Sequence, residues 1–110
     1  MYSDVQLAEL ARQVRYWILT STTEAGSGHP TTSLSATDLM SALFFQHLRC
    51  DLEKPQYPNN DRVLFSKGHA APLLYALYAT AGVLKREEIL KLRCFDSPLE
   101  GHPTPRFSQV

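Results

Sequence analysis

Net charge, paired cysteines and long apolar runs are all missing from this chain, and each absence removes a class of function. Eleven basic residues balance eleven acidic ones over 110 positions, so no field of one sign draws the chain to nucleic acid or to an anionic membrane. The two cysteines, Cys50 and Cys94, lie far apart with no Cys-x-x-Cys spacing. They read as reduced thiols of a cytoplasmic protein, not as a disulfide or a zinc site. Asp4, Glu9, Arg12 and Arg15 punctuate the first twenty residues, which do not form a secretory signal, and no apolar run approaches the ~20 residues of a membrane span. The length suits one domain or part of one, able to bury roughly 60–70% of its unfolded surface.

Glycine and histidine are also scarce, at five and four. Three of the glycines nevertheless stand directly before a histidine, in Gly28-His29, Gly68-His69 and Gly101-His102. The first lies in Glu24-Ala25-Gly26-Ser27-Gly28-His29-Pro30-Thr31-Thr32. Glycines on both sides of Ser27 open backbone conformations closed to other residues. Pro30 fixes its own φ and is expected to push His29 toward an extended shape, so that the ring stands on a stiffened turn between two helices.

Hydrophobic spacing predicts an amphipathic helix from Asp4 to about Thr23, with Leu7, Leu10, Ala11, Val14, Trp17, Ile18 and Ser21 on its core face. Ser35-x-x-Asp38 has the form of a helix start, and that helix would run to about His47 and bury Leu39, Leu43 and Phe44. His47 reads as a helix-end residue favoured by the negative end of the dipole. Asp51 to Asn60, with Pro55 and Pro58, is a loop. Arg62-Val63-Leu64-Phe65-Ser66 suits a short buried strand. A helix from about Ala70 to Ala81 follows, burying Leu73, Leu74, Leu77 and Tyr78 and stopped by Gly82. Arg86 to Leu92 forms a further short helix, and Cys94 to Val110 is loop.

A strand handing over to a helix through Gly68-His69 is a geometry that holds anions in α/β proteins; the plainer alternative is a histidine capping its own turn. His29 and His102 are each framed as Gly-His-Pro. One such copy is ordinarily an exposed turn. Two copies together with His69 favour a shared site, in which the rings donate and accept protons or stabilise a developing oxyanion. Zinc is disfavoured, because no pair has the i, i+4 spacing of helix-borne ligands and no Cys or Glu joins them. Asp61 and Arg62 carry no mark beyond a structural one.

Taken together, the blocks Glu24–Pro30, Asp61-Arg62-Val63-Leu64-Phe65-Ser66-Lys67-Gly68-His69-Ala70 and Glu100-Gly101-His102-Pro103 resemble, in order and spacing, the N-terminal part of the transketolases, from about residue 7 to 107. The resemblance is weaker to the deoxyxylulose-phosphate synthases, which lack the paired Gly-His-Pro blocks.

The resemblance implies an α/β class, with residues 1–110 forming an incomplete thiamine-diphosphate-binding fold that is mostly helical with one or two short parallel strands. It implies transfer of a two-carbon ketol unit from a ketose phosphate to an aldose phosphate, the chemistry of the pentose phosphate pathway. Carried over by motif, His29 and His102 are catalytic and substrate-binding. His69 and Gly68 bind the cofactor, and no residue here binds a metal. The magnesium segment, Gly-Asp-Gly followed by Asn, does not occur in this sequence, so the magnesium ligands are expected outside the chain, as is the glutamate that activates the cofactor. The implied partners are sugar phosphates and the remainder of the enzyme or a complementary subunit, with a homodimer for the intact protein. The chain alone is expected to be inactive. The alternative is an interaction module without catalytic duty, needing a partner chain to fold.

Overall fold

The computed structural model describes residues 2–110 and is built around one apolar helix. Helix α1 (Asp4–Ala25) begins with a reciprocal cap. The Ser3 hydroxyl accepts from the Gln6 amide at 3.2 Å, and the Gln6 side chain accepts from the Ser3 amide at 2.9 Å. Two of the unsatisfied amides of the first turn thereby find partners. It ends at Gly26, whose φ of 71° is a left-handed cap. Ala11, Val14, Ile18, Ser21 and Thr22 form its buried face, while Leu7, Leu10 and Trp17 are only partly covered.

Helix α2 (Pro30–Ser35) and helix α3 (Thr37–Ala42) follow, and α3 continues into a π-helical turn over Leu43–His47. A 3-10 turn over Gly68–Ala70 leads into α4 (Ala71–Thr80), and α5 (Arg86–Ile89) is one short turn. Every residue of α4 from Ala71 to Tyr78 is buried. A helix apolar on all sides needs cover on all sides. The face of α1, helices α2 and α5, and the C-terminal segment through Leu99 and Phe107 supply it. The Phe107 ring meets Tyr75 and Tyr78 edge-on, at centroid distances of 5.6 and 5.3 Å.

Four sequence expectations change. The strand over Arg62–Ser66 does not form: residues 61–67 have no regular structure, and no strand occurs among the described residues. A ladder needs a second extended segment alongside, and the loop before it is instead tied by single bonds, such as the Asp61 amide to the Arg49 carbonyl at 2.8 Å. Val63 and Phe65 are half-buried, while Leu64 is 92% exposed.

Ser35 does not start a helix. Pro30 starts one earlier, where its missing N–H costs nothing, Ser35 closes it, and Ala36 precedes α3 without a side-chain cap. The buried face of α3 is consequently Thr37, Met40 and Ser41, continued by Phe44, whereas Leu39 is 74% and Leu43 41% exposed. The helix expected over Arg86–Leu92 stops at Ile89, although Leu92 is still buried.

The fourth change concerns His29, which is left-handed (φ 54°, ψ 60°) and not extended. Pro30 alone would favour an extended His29; the residue turns left-handed in a loop whose Gly28 is packed close against Thr22 and Pro72. The His29 carbonyl then accepts from the Ser33 amide at 3.5 Å as α2 begins.

Burial together with the Glu100 carboxylate pushes the Tyr75 phenol up to about 12. A folded-state value above the unfolded value of 10 adds stability that is fully present below pH ~10 and is lost as pH rises through ~12. Urea midpoints in Tyr75→Phe are therefore expected to fall less between pH 10 and 12 than those of the parent chain.

Candidate functional site

The three Gly-His segments come from three separate parts of the chain and meet at one place. His29 precedes α2, His69 sits in the 3-10 turn that leads into α4, and His102 lies in the irregular C-terminal segment. The rings of His29 and His69 are 4.8 Å apart between centroids, and those of His69 and His102 are 5.5 Å apart. All three are exposed and line a cavity of about 380 Å³, closed behind by Pro72 and Leu92. No hydrogen bond joins any of these rings to another described residue, which leaves their donors and acceptors free for a ligand. His47, at the end of the π-helical turn, takes no part in it.

Glycine allows this convergence at two positions in particular. A Cβ on Gly68 would lie 3.3 Å from Cγ and Nδ1 of His102, so the bare backbone lets the His102 ring lie against the turn that carries His69. Gly28 has a φ of +128°, and a Cβ there would stand 2.9 Å from the Thr22 methyl and 3.3 Å from the Pro72 ring. The loop carrying His29 is thereby pressed onto both α1 and α4. Gly28→Ala is expected to cost about 1–3 kcal/mol through the strained φ and the clash, read as a lower urea midpoint at unchanged slope. Gly26→Ala, with φ 71° but nothing within 4 Å, is expected to cost less.

Arg93 was not singled out by sequence reasoning, yet it lines the same cavity. Its φ is 65°, its amide donates to the Leu99 carbonyl at 2.8 Å, and its guanidinium lies where a Cβ on Gly101 would be 3.4 Å away. The only sequence cue was its position nine residues before His102, in a segment with no periodic pattern.

Three imidazoles and one guanidinium form a site rich in donors and without carboxylates. It suits an anionic or polyhydroxylated ligand that is positioned by hydrogen bonds and exchanges protons with a ring. It does not suit magnesium, which prefers oxygen ligands. Among the described residues, no group of three His, Cys, Asp or Glu side chains is placed to hold a metal ion.

Residues 7–110 match the family described as transketolase, thiamine diphosphate binding domain. The chain is 48% identical to human transketolase over 100 residues, covering 91% of this chain and 16% of that protein. It is 47% identical to bovine transketolase-like protein 2 over 104 residues, covering 94% of this chain and 17% of that one. A crystal structure of transketolase from Campylobacter jejuni superimposes on the whole chain with a TM-score of 0.88 at 33% identity, using 17% of its own length. Transketolase from Leishmania mexicana gives 0.84 at 27% identity over 94% of this chain and 15% of that one. The chain thus spans about a sixth of the relatives it matches, and its fold is that of their α/β cofactor-binding region. With its family match running through all three Gly-His segments, the chain belongs to the transketolase family, within the thiamine-diphosphate-binding domain.

Proposed function

We propose that this chain is part of a thiamine-diphosphate-binding domain and supplies three histidines to a site transferring a two-carbon ketol unit from a ketose phosphate to an aldose phosphate. The convergence of His29, His69 and His102 on one cavity, within the residues that match the family, carries this reading. When bound, thiamine diphosphate supplies the electron sink that ketol transfer requires.

The donor set fits such a ligand. His69, with the bare backbone of Gly68, would hold the cofactor at its diphosphate end, where positive and N–H-bearing groups are favourable. His29, pinned by Gly28 and Pro30, would donate to a substrate oxygen and move a proton there. His102 would donate to the terminal hydroxyl of the donor sugar. Arg93 brings a fixed positive charge to the rim of the same cavity, suited to a sugar hydroxyl or a phosphate oxygen. Magnesium is a separate matter: the cavity's donors do not fit it, and we place its ligands outside this chain.

The same reading extends to the homodimer, the pentose phosphate pathway and the cytoplasm. The free thiols of Cys50 and Cys94 are in keeping with a reducing compartment. On its own, the chain is a partial domain that needs the remainder of the enzyme or a complementary subunit to turn over.

A chimera tests the reading. With residues 7–110, the span of the family match, replacing the corresponding segment of human transketolase, ketol transfer with thiamine diphosphate and magnesium is expected, while the 110-residue chain alone gives none. A folded, dimeric chimera without turnover would contradict it. The exposure of Leu39, Leu64 and Phe95 (the last 99% exposed) favours a second reading, an interaction module that uses its uncovered apolar surface. Light scattering showing a well-folded monomer of the isolated chain would argue against that module.

A further inference from the structure

His102 lies in a segment with no helix or strand of its own, yet its ring is set against His69 and Gly68. Something outside that segment has to hold it. Ser97 and Leu99 shape the approach, through the Ser97 hydroxyl accepting from the Leu99 amide at 3.1 Å and the Leu99 carbonyl accepting from Arg93. Across His102, the Thr104 hydroxyl donates to the Glu100 carboxylate, and Arg106 approaches its other oxygen at 3.7 Å. These polar contacts curl the segment on itself; Leu99 and Phe107 pack it onto α4, and one hydrogen bond to the helix fixes the residues between them.

Tyr75 makes that hydrogen bond. It is fully buried on α4, six residues after His69 and on the helix that His69 introduces, and its hydroxyl donates to the Glu100 carbonyl at 2.6 Å. We propose that Tyr75 is a positioning residue, whose hydroxyl bond to the Glu100 backbone fixes Gly101-His102 against the turn carrying His69 and so sets the His102 ring in the site. The bond falls two residues before the ring it positions, so a small movement there carries directly into the ring. His69 sits in the 3-10 turn that runs directly into the helix carrying Tyr75, so the bond ties the His102 segment to the element that places His69. Burial and Glu100 keep the phenol protonated to about pH 12, so the donor is present throughout the working range. Phe107 packs on the same tyrosine ring and pads it from behind.

The inference rests on the ketol-transfer reading only for what His102 does; the placement is tested without cofactor or turnover, so the two fail separately. In the 110-residue chain labelled uniformly with nitrogen-15 and with carbon-13 histidine, Tyr75→Phe is expected to shift the His102 ring signals. It should also lower the Gly101 amide order parameter from the rigid range near 0.85 toward about 0.6, with His29 and the α1 amides unchanged. Unaltered His102 and Gly101 signals would overturn the proposal, as would equal movement of all three rings, since either makes Tyr75 an ordinary core residue. Phe107→Leu reads the same question without removing the hydroxyl. His102 stays ordered where the bond positions it; a mobile His102 in that variant would show that packing alone does so and would overturn the assignment.

Discussion

His29→Ala in the chimera with human transketolase is expected to lower kcat for ketol transfer by about 10²–10³, the loss that follows removal of one preorganised donor from a developing charge. The ring is presented by a left-handed residue between a glycine of φ +128° and a proline, so it reaches the cavity already oriented. A donor that strengthens its bond only as charge develops acts on kcat more than on KM. His47→Ala, altering a histidine outside the cavity, should leave both constants unchanged. An equal loss in the two variants, or a change confined to KM for His29→Ala, would remove the proton-handling role.

Leu77→Ala is expected to produce the largest loss of stability. Leu77 is fully buried in the middle of α4, the helix against which α1, α2, α5 and the C-terminal segment pack. Deleting its side chain removes transfer energy and leaves a cavity that a central helix cannot easily close, at about 2–5 kcal/mol. Small domains hold only ~5–15 kcal/mol in total, so the melting temperature should fall by on the order of 10–20 °C. Leu77→Met, which nearly conserves volume, is expected to cost under ~1.5 kcal/mol. The consequence reaches the site, because α4 follows directly on the turn that carries His69 and bears Pro72 against Gly28 and Tyr75 against Glu100.

Helices α1 and α4 were legible because their signals are local. Gly26 follows one and Gly82 the other, and the apolar stripe of α1 keeps its period. The segment Arg62–Ser66 was misread because strand composition says nothing about whether a partner strand lies alongside, and among the described residues none does. The start at Ser35 was misread because Pro30 offers an equally good first helical residue five positions earlier. His29 was expected extended because the proline rule reads only the next residue, whereas its left-handed shape accompanies the packing of Gly28 on Thr22 and Pro72, which lies far off in sequence. The three site histidines were visible through their glycines, whose local freedom is written in the residue type. Arg93 was not: a positive-φ arginine in an aperiodic segment has no pattern of its own, and only the tertiary return of Gly101-His102 gives it a place. Tyr75 lies outside the face of α4 that the sequence predicts buried, and its hydroxyl bond spans 25 residues of sequence.

The most direct measurement is a nuclear Overhauser spectrum of the histidine-labelled 110-residue chain. With centroids 4.8 and 5.5 Å apart, cross-peaks are expected between the His29 and His69 rings and between the His69 and His102 rings, and none from His47 to any of them. Rings that give cross-peaks only to their own helices or loops, in a chain folded by the same spectrum, would contradict the shared cavity and with it the functional reading built on it.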